Sequence, residues 1–135
     1  MIRFDKSKMD ELKEFLYHSD SHDAEIKNSK YDMENKIYYI NLYNSILNVE
    51  MNFIFYNVKI VMFFKDYNYG QLSGYSDQIY CLSVEENYSL FKSNPNLHDD
   101  YYNDTLYLLF ETFSGDALHV VCNEVSIDIQ RNLKQ

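Results

Sequence analysis

"VEMNFIFYNVKIVMFF", residues 49–64, alternates apolar side chains with a period of two, which is typical of β-strands. Its apolar face is odd-numbered up to Phe55 and even-numbered from Val58 onward. Because a slip of one residue reverses every side chain in a strand, we predict a bulge or tight turn at Tyr56–Asn57. We expect buried apolar residues on both sides of this break: Phe53, Phe55, Ile60 and Met62.

The same period of two recurs in four other segments: "KIYYINLY" (residues 36–43), "QIYCLSV" (78–84), "TLYLLFETF" (105–113) and "ALHVVCNEVSIDI" (117–129). The last two segments predict a hairpin across "SGD", where Gly115 permits a positive φ. The last segment also changes parity, near Asn123. Two long β segments with an internal parity change indicate strands that bend, as at the corner of a sandwich or barrel.

The N-terminal residues have the period of an amphipathic helix instead. Five apolar residues recur at steps of three and four: Phe4, Met9, Leu12, Phe15 and Leu16. We predict a helix over about residues 5–17, with Asp5 or Ser7 as its N-cap and its end near Tyr17 or His18. The predicted fold class is α+β: a mostly antiparallel, strongly curved β-sheet or sandwich with one N-terminal α-helix, forming a single domain over residues 1–135.

Length and composition fit a globular, reduced, cytoplasmic protein. The chain has 135 residues, of which 46% are hydrophobic and 17% aromatic. Its N-terminus is too charged for a signal peptide, and no apolar run approaches the ~20 residues of a membrane helix. Two cysteines, Cys81 and Cys122, have no CxxC spacing and provide no disulfide framework.

The negative charge is concentrated in the second half of the chain. Residues 1–65 carry 10 acidic and 9 basic side chains, and residues 66–135 carry 11 acidic and 3 basic. Such an acidic half repels a phosphate backbone and attracts a basic protein, so we expect a basic protein partner and no nucleic acid. We also expect these acids to form one negative surface near "LHDDYYND", residues 97–104.

The long irregular stretch over about residues 91–104 is the predicted binding segment. A loop of this length is typically functional or poorly ordered, and this one gathers carboxylates and tyrosines. In the functional interpretation the tyrosines are contact anchors and the carboxylates steer a basic partner. The candidate binding residues are Asp99, Asp100, Tyr101, Tyr102 and Asp104. The alternative interpretation is a solvated acidic loop.

The segment "HSDSHD", residues 18–23, resembles a metal or catalytic site more closely than any other part of the sequence does. His18, Asp20, His22 and Asp23 offer imidazole and carboxylate ligands at alternate positions, but one short segment presents at most three of them on one side. No second ligand cluster stands elsewhere in the sequence. We therefore predict a helix-to-strand turn in which Asp20 and Asp23 cap backbone N–H groups and one histidine lies at the helix C-terminus.

Signatures of catalysis are lacking in the sequence. It has no Ser-His-Asp order, no Gly-rich phosphate loop and no Walker pattern. The adjacent Glu85 and Glu86 point to opposite faces of a strand and cannot act as a pair. We predict no catalytic residues, no metal and no cofactor.

Two parts of the chain resemble YxiG-like proteins. The first comprises His22-Asp23, Ile26, Tyr31-Asp32, Asn35 and "KIYYINL"; the second is "FETFSGDALHVVCNEVSIDI", residues 110–129. The resemblance implies a small, mostly β bacterial protein without catalytic residues. Some similar acidic proteins accompany bacterial toxins as immunity proteins.

The favoured function is therefore a non-catalytic interaction protein that binds a basic partner, such as an immunity protein bound to a toxin. One alternative is a metal-binding or hydrolytic domain centred on His18–Asp23. The other alternative is a homo-oligomer whose Tyr- and Phe-rich strand faces pair.

The first testable expectation concerns metal content. Elemental analysis of protein purified without chelator should show far less than one zinc, iron or manganese per chain, because "HSDSHD" lacks a second ligand cluster. One tightly held ion that disappears when His18 and His22 are both changed to Ala would contradict the turn interpretation.

Overall fold

The computed structural model describes residues 1–65, 77–91 and 99–131. Within these ranges it has one α-helix, nine β-strands and three short 3-10 helices. The helix and strands, in chain order, are β1 (Ile2–Asp5), α1 (Met9–Tyr17), β2 (Glu25–Asp32), β3 (Ile37–Asn44), β4 (Val49–Tyr56), β5 (Ile60–Phe64), β6 (Ile79–Glu85), β7 (Leu106–Thr112), β8 (Ala117–Cys122) and β9 (Glu124–Arg131). The 3-10 helices are Lys6–Lys8, Ser89–Phe91 and Asp99–Tyr102.

The strands form two open antiparallel sheets. The five-stranded sheet has the order β1-β9-β4-β3-β2, and the four-stranded sheet has the order β5-β8-β7-β6. One apolar core joins them, with the rings of Phe53 on β4 and Phe110 on β7 in edge-to-face contact at 5.6 Å. The prediction of mostly antiparallel β structure with one N-terminal helix is confirmed. The strong curvature and the single domain stay predictions.

The chain changes sheets at the break predicted at Tyr56–Asn57. Asn57 has a φ of 51°, β4 ends before it in the five-stranded sheet, and β5 follows in the four-stranded sheet. Asn123 makes the reverse crossing between β8 and β9. The two crossings are hydrogen-bonded side by side: Asn123 N donates to Tyr56 O at 3.2 Å, and Lys59 N donates to Val121 O at 2.8 Å. We call this pair of crossing chains the corner ribbon.

The corner ribbon explains both parity changes. Phe53 and Phe55 are fully buried in the core between the sheets, as predicted. Ile60 and Met62 are only half-buried, and they face the outer side of the four-stranded sheet. There they adjoin a second apolar cluster, which consists of Tyr88, Phe91, Tyr102, Tyr107 and Val121. The expectation that Ile60 and Met62 are buried as fully as Phe53 was wrong, because the even-numbered residues of β5 face away from the first core. Val58, which precedes β5, is still buried in that core.

The helix begins four residues later than predicted. Phe4 pairs with Val125 in a strand instead of starting the helix, and its ring packs on Phe15 at a centroid distance of 5.5 Å. Asp5 caps the 3-10 turn by accepting from Ser7 N at 3.0 Å. The predicted end at Tyr17 is confirmed. With its nine residues, α1 is too short to cross a bilayer, as is every helix in the described ranges.

Strand β2 was not predicted, because its sequence "EIKNSKYD" leaves nearly all its side chains outside the core. It adjoins a second joint between the sheets. The segment before β2 bonds to the start of β6: Asp23 N donates to Ile79 O at 2.8 Å, and Ile79 N donates to Ala24 O at 2.7 Å. This joint holds the sheets together on the side away from the corner ribbon.

Phe53→Ala should destabilise the protein by about 3–5 kcal/mol, because it leaves a cavity where three aromatic rings now meet. Phe53 is 1% exposed and contacts both Phe55 and Phe110. Urea unfolding measures the change. Ile54→Ala is the matched control on the opposite face of β4 and should cost less than about 1 kcal/mol. Equal losses in both variants would contradict the assignment of the faces.

Candidate functional site

The segment "HSDSHD" is a turn, as predicted. His18 is the C-terminal capping residue of α1, and its Nε2 lies 3.0 Å from Glu14 Oε1 on the preceding turn. The chain then runs through consecutive turn positions to Asp23, whose φ is 70°. The two carboxylates that were predicted to cap backbone N–H groups have side-chain partners instead: Asp20 forms an ion pair with Arg131, and the carboxylate of Asp23 lies beside the imidazole of His22.

The four residues proposed as alternative metal ligands, His18, Asp20, His22 and Asp23, face three different ways. His22 Nδ1 lies 3.2 Å from Asp23 Oδ2, and its ring contacts Phe113 at 5.7 Å. His18 faces Glu14 instead, and Asp20 faces Arg131. In the described ranges no three His, Cys, Asp or Glu side chains are grouped to hold a metal ion. The metal-binding or hydrolytic alternative at His18–Asp23 stays a prediction.

Asn44, which sequence reasoning missed, holds this turn in place. It is 2% exposed, and its Nδ2 donates to the carbonyl oxygens of Asp20 and His22 at 3.0 and 3.1 Å. Its Oδ1 accepts from the backbone N–H groups of Ile46 and Leu47 at 3.0 and 3.1 Å. One buried amide thus fastens two turns to each other. The only sequence signal was an asparagine at the end of a strand.

Of the predicted binding segment, Phe91, Tyr101 and Tyr102 pack against the outer face of the four-stranded sheet. Tyr102 is 7% exposed, and its hydroxyl donates to Phe91 O at 3.2 Å. Tyr101 is half-buried, with Lys59 Nζ 4.5 Å from its ring centroid. Tyr102 is therefore a packing residue with little surface left to bury in an interface. Residues 92–98 and the side chains of Asp99 and Asp100 lie outside the described part of the structure, so their binding role stays a prediction.

Tyr107 of the second apolar cluster forms a polar pair with His119. The Tyr107 hydroxyl lies 2.6 Å from His119 Nδ1, and both residues are buried. Burial, with Glu85 and Glu111 nearby, raises the pKa of Tyr107 to about 12, so the hydroxyl keeps its proton at neutral pH. Burial lowers the pKa of His119. This pair is covered by aromatic rings, among them those of Phe91 and Phe64.

The open face of the five-stranded sheet carries a row of polar residues that also escaped prediction. Strand pairing aligns Asn28, Asn41, Asn52 and Asp128 across four strands. Asn41 Nδ2 donates to Asn52 Oδ1 at 2.7 Å and to Glu50 Oε1 at 2.6 Å. A shallow groove of about 300 Å³ lies over the middle of this row. The amide of Asn41 therefore links β3 to β4 through two side-chain hydrogen bonds.

Two acid-lined grooves lie on either side of β1. The first, the helix groove, has a volume of about 530 Å³ between β1 and α1. Its lining is apolar at Ile2, Phe4 and Phe15 and otherwise consists of three carboxylic acids: Asp10, Glu11 and Glu14. Apolar surface rimmed by one sign of charge fits a basic, amphipathic contact.

The second, the corner groove, has a volume of about 310 Å³ beside the corner ribbon. It brings together Asp5, Asp104 and Glu124, with Lys6 as the one basic lining residue of those described. Asp104 has a positive φ of 61°, and its carbonyl oxygen accepts a hydrogen bond from Asn123 Nδ2 at 3.0 Å. Of the five predicted binding residues, Asp104 is therefore the one that lines a described groove.

The described acids of residues 66–135 do not share one face. Strand pairing directs Glu85 and Glu111 to the outer side of the four-stranded sheet, and Glu124 and Asp128 to the outer side of the five-stranded sheet. The expectation of one negative surface drawn from this half is therefore wrong for these residues. The helix groove instead obtains its acids from the first half of the chain.

Comparison of the chain with known protein families and with curated proteins finds no match to either.

His119 should make stability depend on pH. Its folded pKa lies below the ordinary 6.5, so the unfolded chain binds the proton more readily. The contribution is fully present above about pH 6.5 and is lost as the pH falls from there through the lower folded pKa.

The free energy of unfolding should therefore fall between about pH 7.5 and about pH 5.5 by more in the wild type than in His119→Gln. Urea unfolding at both pH values measures this difference. His22→Gln is the control, since the His22 side chain is 62% exposed, and it should behave as the wild type does. An identical fall in wild type and His119→Gln would contradict the assignment.

Proposed function

We propose that this chain is a non-catalytic interaction protein that binds a basic protein partner at β1. The observation that carries the proposal is the position of this strand between the helix groove and the corner groove. Lys6 also lines the corner groove, and Arg3 of β1 forms an ion pair with Glu124. Six acidic residues line the two grooves: Asp5, Asp10, Glu11, Glu14, Asp104 and Glu124.

The apolar part of the helix groove supports specific binding over simple charge attraction. Phe15 is half-buried against Phe4, and Ile2 is 47% exposed. A partner side chain that covers these residues gains from burial of apolar surface, while the carboxylates at the rim attract its cationic head groups. Long-range attraction raises the association rate, and salt reduces it.

The role of an immunity protein that binds a bacterial toxin belongs to the same proposal. It rests on the resemblance to YxiG-like proteins and on the acidic character of the chain, and a cytoplasmic location fits it. The homo-oligomer alternative stays a prediction, with the exposed Phe63 and Phe64 of β5 as the surface it would use.

The test uses a fluorescent nonapeptide in which pairs of lysines are separated by single valines, so that lysine occurs at both odd and even positions. A glutamate–valine peptide of the same pattern is its acidic counterpart. The lysine peptide should bind, the glutamate peptide should not, and binding should weaken as salt rises from about 50 mM to about 500 mM. The triple variant Asp10→Asn, Glu11→Gln, Glu14→Gln should bind at least about tenfold more weakly.

The matched control removes three carboxylates outside both grooves: Glu34→Gln, Glu111→Gln and Asp128→Asn. It changes the net charge equally and should keep most of the affinity. Urea unfolding of both triple variants checks that each is folded. Equal loss of affinity in the two variants would show attraction by net charge alone and would overturn the proposed site.

A further inference from the structure

β1 is an edge strand, and its second side has no strand partner among the described residues. It lies at the end of the five-stranded sheet and pairs with β9, from Ile2↔Ile127 to Asp5↔Glu124. Backbone N–H and C=O groups alternate in direction along a strand, so about half of those in β1 point away from β9. Such a row of groups is a template for an added strand.

The other sheet edges are less suited to a basic strand. The start of β6 is occupied by its hydrogen bonds with Asp23 and Ala24. β2 is interrupted by a bulge at Lys27 and carries Lys30, both of which discourage pairing. β5 exposes apolar side chains, but Lys59 and Lys65 lie at its two ends and repel a cationic segment.

Side chains of an added strand would enter both grooves. Successive residues of a strand point to opposite faces of its sheet. On β1, Ile2 and Phe4 face the side of the helix groove, and Arg3 and Asp5 face the side of the corner groove. A strand paired with β1 therefore directs alternate side chains toward the face that carries Asp10, Glu11 and Glu14, and the intervening ones toward the face that carries Asp5.

We infer that the basic partner binds as an added β-strand on β1, through a short extended segment with lysine or arginine on both faces. This inference rests on the proposed function and specifies its geometry. The four residues of β1 accommodate about 13 Å of partner strand. In the helix groove, the methylene stems of lysine or arginine would cover Phe15 while their charged ends reach the carboxylates.

The experiment compares the lysine–valine nonapeptide with a copy N-methylated at two adjacent central residues. The two residues place one blocked N–H on each edge of the peptide, while side chains and charge are unchanged. Strand addition predicts at least tenfold weaker binding of the methylated copy. It also predicts that amide hydrogens of β1 exchange more slowly in the complex with the unmethylated peptide, while those of β2 do not change.

The outcomes distinguish a failure of strand addition on β1 from a failure of the proposed acidic binding site. Equal affinity of both peptides, with β1 amides unprotected, would overturn strand addition and leave the acidic site intact. Protection at β2 or β5 in place of β1 would overturn the assigned edge. No binding of either peptide at low salt would overturn the proposed function together with this inference.

Discussion

The corner ribbon is the constraint on which the rest of the structure depends. Two crossing segments, at Asn57 and Asn123, are hydrogen-bonded to each other, so β4 and β9 remain paired in one sheet while β5 and β8 remain paired in the other. Because backbone pairing continues on both sides of the crossings, neither sheet can shift without the other. The apolar core, in which the ring of Phe53 contacts that of Phe110, packs between the two sheets.

The two sheets have different surroundings, and their outer faces therefore carry different kinds of side chain. The four-stranded sheet is covered on both faces, by the first core and by the second cluster around Tyr88, Phe91 and Tyr107. Its outer face is therefore aromatic, and it buries the Tyr107–His119 pair. The outer face of the five-stranded sheet has no comparable cluster among the described residues, and there polar residues such as Asn41 and Asn52 satisfy one another across strands.

The candidate binding surface is assembled from distant parts of the chain. The corner groove unites Asp5, Asp104 and Glu124, which come from β1, the segment before β7 and β9, while the helix groove places the acidic turns of α1 beside β1. The surface therefore exists only in the folded protein. Its carboxylates surround a strand edge whose remaining hydrogen-bonding groups face outward, so charge and backbone direct a partner to the same place.

The sequence by itself determined the strand segments from β3 onward, the helix end, both parity changes and the turn at "HSDSHD", because these depend on local periodicity and turn chemistry. Only the tertiary structure decided that the parity changes are sheet crossings, that Tyr102 is buried and that Asn44 fastens two turns. Pairing with β9 also placed Phe4 in a strand despite its helical spacing. Periodicity reports which side chains share a face, whereas the packing of remote segments determines what that face meets.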